Sequence, residues 1–428
     1  MRAPPPARDN PLTRSVGGIA GMAFLAAMLV ACLGSLPWTL ALVSAPGDHP
    51  GNVAATGSPR YDRQVRTARQ LPPSWWGIRE ETASLHATGE DTEALRLEQT
   101  ARRLALEQMA LSSGPTVTVE QVEKEGREPT PEQVRAATPY YIMGTDLLGR
   151  DLLVRCLAGG GVSLVIGIAA AMISVMLGTA YGAAAGYAGG RIDAVMMRIV
   201  DILYGLPYIL LVVLLAVAAD AAVDNWQARR VAAVSTARQQ LVDSRLAALP
   251  SDRRTEEARR AAAFQAVSEL GTGELSTGTR KAIEIVTLLV AIGGVSWLTM
   301  ARVVRGQVLS LKSQPFMEAA RAMGVPLRGQ FFRHLLPNLI GPITVYATLT
   351  VPQAMLQESF LSFLGIGVRP PMPSWGNLVA DGLVEINPYK SHWWLLLFPC
   401  LLLGTTLLAM NFVGEGLREA LDPRRARQ

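Results

Sequence analysis

Six long runs of apolar residues, separated by polar segments, constrain the fold of this chain more than any other feature. Each run has about 18 residues or more, within or above the range of about 17–25 apolar residues that a membrane-spanning helix needs. Because lipid leaves no partner for free backbone groups, we predict an all-α, polytopic membrane protein with six transmembrane helices. The runs extend from Val16 to Val43, Val162 to about Tyr187, beyond Asp201 to about Ala219, Ala282 to Val304, Leu339 to about Leu356, and Trp393 to about Val413.

Composition agrees with a membrane protein and disfavours other classes. Half of the 428 residues are hydrophobic, and 40 Lys and Arg only slightly exceed 35 Asp and Glu. No basic block is interleaved with aromatic residues, so no nucleic acid partner is expected. The cysteines, Cys32, Cys156 and Cys400, are too far apart in sequence to suggest a metal site or a disulfide framework. We therefore expect neither a metal site nor a cofactor.

Several residues within the runs carry specific expectations. Gly178, Gly182 and Gly186 recur every four residues, a spacing that lets helices approach closely in lipid. Arg198 and Asp201 are spaced to pair on one helix, and Pro207 is expected to kink the third span. Trp393 and Trp394 are expected to anchor the sixth span at the membrane interface. The first run is longer than the apolar core of a signal peptide, which favours an uncleaved span.

Two long polar inserts interrupt the spans. The first contains a helical pattern from Glu90 to Leu111; the second predicts helices from Trp226 to Leu249 and from Asp252 to Leu270. A charged hairpin of this kind is usually solvated, but it could also pack with the first insert into an extracytoplasmic cap for a partner. The predicted divisions are 1–44, tail and first span; 45–158, extracytoplasmic insert and the segment that leads into the second span; 159–219, spans two and three; 220–281, extracytoplasmic helical insert; and 282–428, spans four to six.

Arginine distribution predicts the orientation. Six spans place both termini on one side, and the basic residues of the short segments fall on that same side, which should be cytoplasmic. Both inserts then lie outside, since long loops cross the membrane largely regardless of charge. The basic residues are Arg2, Arg8, Arg14, Arg191, Arg198, Arg302, Arg305, Lys312, Arg321, Arg328, Arg333, Arg418, Arg424, Arg425 and Arg427.

A polar stretch from Pro315 to Asn338 separates the fourth and fifth runs. Pro315 suits a first helical position, and Glu318 lies in the first turn, where the helix dipole favours it. Gly324 tolerates a positive φ at a helix end, and Pro326 begins a second short helix that Leu336 and Pro337 close. These signals predict a helix, a sharp turn and a second helix on the cytoplasmic side.

A second pattern precedes the second span. Thr145 or Asp146 is suited to cap a helix, and Asp151 lies four residues before Arg155, a spacing that allows the two to pair. By these local rules the segment is a capped amphipathic helix that leads into the membrane.

Both patterns resemble permease subunits of ATP-binding-cassette importers. Glu318, Ala319, Ala320, Gly324, Leu336 and Pro337 resemble the EAA loop of that family, and Arg333 to Asn338 resembles its peptide and nickel branch. The signature of the C-type dipeptide and oligopeptide permeases is similar to Gly144, Thr145, Asp146, Gly149, Arg150 and Asp151. Segments 357–365, 370–376 and 416–424 also match that branch. His334, where the general family pattern has an aliphatic residue, and the two large inserts depart from it.

The resemblance implies a subunit of a binding-protein-dependent importer in the bacterial inner membrane, for peptides or related small solutes such as nickel chelates. It implies as partners a second, B-type permease, two ATPase subunits and an extracytoplasmic solute-binding protein. The EAA loop would be the coupling helix that docks on the ATPase. The chain itself shows no catalytic constellation and no P-loop, since none of its four lysines follows a glycine, so it is not expected to be an enzyme.

Two alternatives remain at this point. An ion-coupled transporter would place ionisable groups well inside the spans, whereas Asp201, Glu284 and Glu358 lie towards span ends. A membrane scaffold would use the inserts to hold an extracytoplasmic complex. Neither alternative explains the EAA loop.

Overall fold

The computed structural model is almost entirely α-helical. It describes residues 16–43, 57–76, 93–113, 117, 119–250, 255–386 and 391–421. Within these residues, six helices are long and apolar enough to cross a membrane. The prediction of an all-α polytopic protein is therefore confirmed. The boundaries of the five predicted divisions stay a prediction.

From the second span onward, the helices are longer than the apolar runs because turns that contain polar residues extend them, whereas the first helix ends at Leu40, before the end of its run. A two-residue β-pair, β1 (Leu42–Val43) with β2 (Ser58–Pro59), follows the first helix. The helices are α1 (Val16–Leu40), α2 (Glu93–Ser113), α3 (Val119–Lys124), α4 (Pro131–Ala136), α5 (Leu152–Ala188), α6 (Gly190–Tyr204), α7 (Tyr208–Ala247), α8 (Glu256–Leu270), α9 (Thr277–Lys312), α10 (Pro315–Ala322), α11 (Leu327–Gly329), α12 (Leu336–Phe363), α13 (Trp375–Val384) and α14 (Trp394–Leu421). A π-helical segment, Gln330–Leu335, joins α11 to α12.

The core of the membrane part is the long contact between α5 and α9. A Cβ placed on Gly178 would lie 2.5 Å from Cβ of Met300, and one on Gly182 would lie 2.2 Å from the carbonyl oxygen of Ala301. At Gly186 the nearest atom, the carbonyl oxygen of Arg305, would be 3.0 Å away. These glycines bring the two backbones together, as their spacing predicts.

The third span departs from the prediction at Pro207. The chain leaves helical structure after Tyr204, and Pro207 stands immediately before the first residue of α7, so it does not kink a helix. This placement fits its missing N–H, which costs nothing outside a helix. α7 then continues without interruption to Ala247. The insert helix predicted from Trp226 is therefore the C-terminal half of the third span's own helix.

Two predicted local roles are also wrong. Asp201 accepts a hydrogen bond at 2.7 Å from Arg302, on α9, rather than pairing with Arg198 on its own helix. Trp394 is only 4% exposed, and its indole N–H donates to the carbonyl oxygen of Thr145 at 3.3 Å, so it packs against protein instead of anchoring in the interface. Trp393 is half-buried and packs edge to face with Trp76, with ring centroids 4.9 Å apart, and its role at the membrane interface stays a prediction. Contacts across the fold have replaced the local ones.

The two inserts pack differently. In the first, Tyr61 is buried against Val154 and Ala158 of α5, so this part of the insert sits on the end of that helix. In the second, α8 lies against α7, where Arg245 bonds Glu269 at 2.7 Å. Glu93–Ser113 agrees with the helix predicted in the first insert. A joint cap formed by both inserts stays a prediction.

Candidate functional site

The loop between α9 and α12 contains a sharply defined turn after α10. Gly324 has φ +72°, and its N–H donates to the carbonyl oxygen of Arg321 at 3.0 Å. The N–H of Val325 donates to the carbonyl oxygen of Ala320 at 3.1 Å. This pair of bonds is a Schellman motif, which ends a helix through a left-handed residue. The conformation explains the glycine, because a Cβ in this region is strained.

Hydrogen bonds hold this loop against the ends of two spans. Arg321 donates to the carbonyl oxygen of Lys312, at the end of α9, at 3.2 Å. The buried Gln330 donates to the carbonyl oxygen of Val325 at 2.7 Å and accepts from the hydroxyl of Tyr187, near the end of α5, at 3.2 Å. Lys312 in turn donates to the carbonyl oxygen of Tyr187 at 2.7 Å. The turn, α5 and α9 are thus fixed to one another.

Leu336 and Pro337 do not close a second short helix, contrary to the prediction. The chain passes from α11 through the π-helical segment directly into α12, and Pro337 lies in the first turn of α12. Proline is accepted at a first helical turn because the N–H groups there need no partner in the helix. The loop is therefore rigidly continuous with the fifth span.

The outer surface of the loop combines apolar and basic side chains. Met317 and Ala320 face inward and are buried, whereas Glu318, Ala319 and Gly324 are exposed. Four large apolar side chains are exposed, namely Phe316, Met323, Leu327 and Phe332, at 39, 73, 67 and 64%. Arg321, Arg328 and Arg333 are exposed beside them. We call Phe316, Arg321, Met323, Leu327, Arg328, Phe332 and Arg333 the loop surface; an apolar patch with a polar rim is typical of a protein contact.

Two ion pairs fasten α6 to α9. Arg305 forms two hydrogen bonds to the carboxylate of Asp193, at 2.5 and 2.7 Å, and these bonds lower the pKa of Asp193. Arg302 bonds Asp201 at 2.7 Å and lies over the ring of Tyr204, 4.0 Å from its centroid. Such a bidentate pair fixes orientation as well as distance. The pairs hold α6 beside the C-terminal half of α9.

The second predicted residue set forms a compact junction at the opposite end of α5. Thr145 is fully buried; its hydroxyl donates to the carbonyl oxygen of Ala68 and accepts from the N–H of Leu71. A Cβ on Gly149, which has φ +73°, would lie only 1.9 Å from the carbonyl oxygen of Val65. The first insert therefore packs against this set of residues, a role that the sequence did not reveal.

Asp146 is the centre of this junction. Its carboxylate accepts from Arg150 Nε and from Arg155 Nη1, both at 2.7 Å, and Arg150 also bonds Asp62 of the first insert at 3.0 Å. Arg155 reaches Asp381 of α13 at 3.5 Å. The buried charges thus join the insert, α5 and α13. Removal of one member of such a buried network is costly, since it leaves the other charges without a partner.

Asp151, not Thr145 or Asp146, caps α5. Its carboxylate accepts from the N–H groups of Leu153 and Val154, at 2.8 and 3.4 Å. Burial raises the pKa of Asp151, and the two N–H groups oppose that shift. The predicted pair with Arg155 gives way to this cap, because Arg155 turns to Asp146. Gly144, with φ +80°, would place a Cβ 2.7 Å from the carbonyl oxygen of Leu71.

The structure does not bring the two predicted sets together. One lies before the first residue of α5 and the other contacts its last turn, so the 37 residues of the helix separate them. At 1.5 Å per residue this is about 55 Å. Sequence reasoning missed Tyr187, Lys312 and Gln330, whose contacts join distant segments and leave no local pattern.

Glu358 is more deeply placed than its sequence position suggested. It lies five residues before the end of α12 but is completely buried, and the hydroxyl of Ser362 donates to its carboxylate at 2.7 Å. Ser359 donates to the other carboxylate oxygen at 3.4 Å. The same Ser362 hydroxyl accepts from the N–H of Val368, so the cluster holds the loop that follows the fifth span.

Comparison with known proteins identifies the family. Residues 163–427 match the family described as the binding-protein-dependent transport system inner membrane component. The chain belongs to this family. The match includes the loop surface, α12 and all spans from the second onward, and it agrees with six membrane-crossing helices. The protein is therefore a multi-pass membrane transport subunit and not an enzyme.

Three relatives show which branch the chain is similar to. An oligopeptide transport system permease protein of Haemophilus influenzae is 39% identical over 287 residues, which cover 67% of this chain and 71% of the relative. The corresponding Escherichia coli protein is 41% identical over 286 residues, covering 66 and 72%. A dipeptide transport system permease protein of Bacillus subtilis is 33% identical over 377 residues, covering 85 and 97%. The resemblance to dipeptide and oligopeptide permeases is confirmed.

Proposed function

We propose that this chain is the C-type permease of an ATP-driven importer that carries peptides or related small solutes across the bacterial inner membrane. Its similarity to oligopeptide and dipeptide permeases supports the solute class. It works with a second, B-type permease, two ATPase subunits and an extracytoplasmic solute-binding protein. Both termini lie in the cytoplasm, in agreement with the arginines of the short segments.

The loop surface is the observation that carries the proposal. Glu318, Ala319, Ala320, Gly324, Leu336 and Pro337 form or support a rigid turn whose exposed face is apolar and basic. A rigid helix with apolar anchors is suited to a groove on another protein. Because the turn is bonded to the ends of α5 and α9 and is continuous with α12, a displacement of the turn must move all three spans.

The proposed cycle follows from these attachments. ATP binding closes the two ATPase subunits and displaces the loop of each permease. The permease pair then changes from inward-facing to outward-facing and receives solute from the binding protein. ATP hydrolysis resets the pair. The protein supplies no catalytic group to this cycle; it converts movement at the loop surface into a rearrangement of its spans.

Co-purification tests the proposal. The tagged chain is co-expressed with the proposed partner subunits and purified in mild detergent, and the recovery of ATPase subunits and the solute-stimulated ATPase activity are measured. Phe332→Ser removes an exposed apolar anchor and is expected to reduce ATPase recovery, since truncation of a central anchor typically costs at least about 1 kcal/mol. The matched control is Phe264→Ser, because Phe264 is 78% exposed but lies on α8 in the second insert.

The two variants separate the alternatives. Loss of ATPase with Phe332→Ser but not with Phe264→Ser supports coupling through the loop. An ion-coupled transporter would show solute uptake without a bound ATPase, and a scaffold would lose its partner with Phe264→Ser instead. Either of these results would overturn the proposal.

A further inference from the structure

A row of polar side chains follows one face of the fifth span. Tyr346, Thr350, Gln353 and Gln357 are separated by four, three and four residues, so they lie on one face of α12. Tyr346 is 38% exposed and Gln353 is also exposed. Among the residues that the structure describes, neither the Tyr346 hydroxyl nor the Gln353 amide has a hydrogen-bond partner. Polar groups on a span avoid lipid and mark contacts with protein, water or solute.

Two neighbouring helices add polar groups at one end of this row. The hydroxyl of Tyr208, the first residue of α7, donates to Oε1 of Gln357 at 2.7 Å and lies 2.8 Å from the hydroxyl of Ser296 on α9. The Ser296 hydroxyl is 3.3 Å from the same Gln357 oxygen. All three side chains are half-buried. The Gln357 amide N–H groups donate to no residue in the described part of the chain, which leaves them available to a ligand.

A break in the helical backbone lies beside this cluster. Gly205, Leu206 and Pro207 separate α6 from α7 and are exposed. Ser296, which Tyr208 contacts, is near the middle of the 36-residue helix α9, so the break lies at membrane depth. Non-helical backbone at this depth is tolerated where it is covered by protein or lines a water-filled cavity. In transporters, broken helices of this kind border solute sites.

We propose that this polar face lines the solute pathway and contacts the main chain of a passing peptide. The polar face consists of Tyr208, Ser296, Tyr346, Thr350, Gln353 and Gln357. Hydroxyl and carboxamide groups both donate and accept hydrogen bonds, as peptide amides do, and they carry no charge that would select one kind of peptide side chain. The row on α12 spans 12 residues, a rise of about 16 Å, which is the length of several peptide units. The peptide assignment rests on the proposed function.

Cysteine accessibility tests this assignment in the complete transporter. In a Cys400→Ala background, which removes the exposed native thiol and keeps the buried Cys32 and Cys156, Gln353→Cys and Gln357→Cys are introduced singly. The matched control is Leu408→Cys, because Leu408 is 53% exposed on α14 but lies outside the polar face. The complex is reconstituted in vesicles with its binding protein and treated with a charged, membrane-impermeant thiol reagent.

We expect Gln353→Cys and Gln357→Cys to react at least about tenfold faster than Leu408→Cys, since thiol reactivity requires access to water. Tetra-alanine with ATP and the binding protein should slow both reactions. Labelling as slow as that of Leu408→Cys would show that lipid or the second permease covers the face, which overturns the proposal. Fast labelling that tetra-alanine leaves unchanged would show a water-filled cleft that peptide does not enter, which also overturns it.

Wild-type activity distinguishes this failure from failure of the proposed function. Uptake of labelled tetra-alanine by the wild-type complex is measured in the same vesicles. If the wild type transports the peptide and the polar face stays unlabelled, only the pathway assignment is wrong. If the wild type neither transports any peptide nor hydrolyses ATP, the proposed function itself is wrong.

Discussion

Replacement of Gly324 isolates the contribution of one backbone conformation to the proposed coupling. Its φ of +72° lies in the left-handed region, and nothing stands within 4 Å of a Cβ placed there. Gly324→Ala therefore adds conformational strain of about 1–2 kcal/mol without a steric clash. This lowers the equilibrium ratio of loops in the Schellman turn to loops outside it by roughly 5–30-fold.

A graded series distinguishes strain from other effects. Asn enters the left-handed region more readily than Ala, so Gly324→Asn should retain more activity than Gly324→Ala. Gly324→Trp should match Gly324→Ala if strain alone acts, and should fall below it if the larger side chain also obstructs the partner. Gly306→Ala is the control, because Gly306 is also free of neighbours within 4 Å but lies inside α9, where alanine is favoured by about 1 kcal/mol.

The assay is solute-stimulated ATPase activity per bound ATPase subunit, measured on the purified complex beside the amount of ATPase recovered. We expect the order wild type, Asn, Ala for stimulated activity, with Gly306→Ala equal to wild type. Equal losses for Asn and Ala would refute the argument from backbone conformation. An Ala variant with wild-type stimulation would show that the turn at Gly324 does not need its left-handed geometry for coupling.

Three further predictions concern stability, each measured by thermal unfolding in detergent. Gly182→Ala should destabilise the protein by about 1–3 kcal/mol, because its Cβ would meet the carbonyl oxygen of Ala301 at 2.2 Å; equal stability to wild type would contradict the close packing of α5 and α9. Asp146→Asn should cost about 3 kcal/mol, since two buried arginines lose their shared carboxylate, and a change below about 1 kcal/mol would speak against the buried network. The lowered pKa of Asp193 means that its ion pair stabilises the fold above the ordinary carboxyl pKa of about 3.9 and is lost as pH falls through the folded value; the stability difference between wild type and Asp193→Asn should be constant above about pH 5 and shrink in stronger acid.

The sequence predicts what depends on local composition and misses what depends on distant contacts. The six spans follow from the length of apolar runs, and the packing of Gly178, Gly182 and Gly186 follows from their spacing. The partner of Asp201 could not be predicted, because Arg302 is 101 residues away and Arg198 was equally well placed by local rules. Likewise, Asp146 seemed a helix cap until the fold placed Arg150 and Arg155 around its carboxylate.

In the loop, too, the features that depend on local sequence were predictable and those that depend on distant contacts were not. Gly324 has the left-handed φ expected of a glycine at a helix end, since the requirement is local. Tyr187 and Gln330, which attach the loop to α5, are 143 positions apart in sequence. No local sequence pattern predicts a contact over that distance. The continuity of the loop with α12 was also missed, because a proline usually signals the end of a helix and here lies in a first turn.

The attachments at both ends of α5 determine what this helix can do when the loop moves. Its last turn is bonded to the loop through Tyr187, and its side is held against α9 by glycines that leave no gap. Its first turn is capped by Asp151 and joined by Arg155 to Asp146, which also binds the first insert through Arg150. Because a close-packed helix pair transmits displacement better than it absorbs it, α5 and α9 should move as one body. A displacement of the loop surface would then reach the first insert, about 55 Å away, without any rearrangement inside the helix.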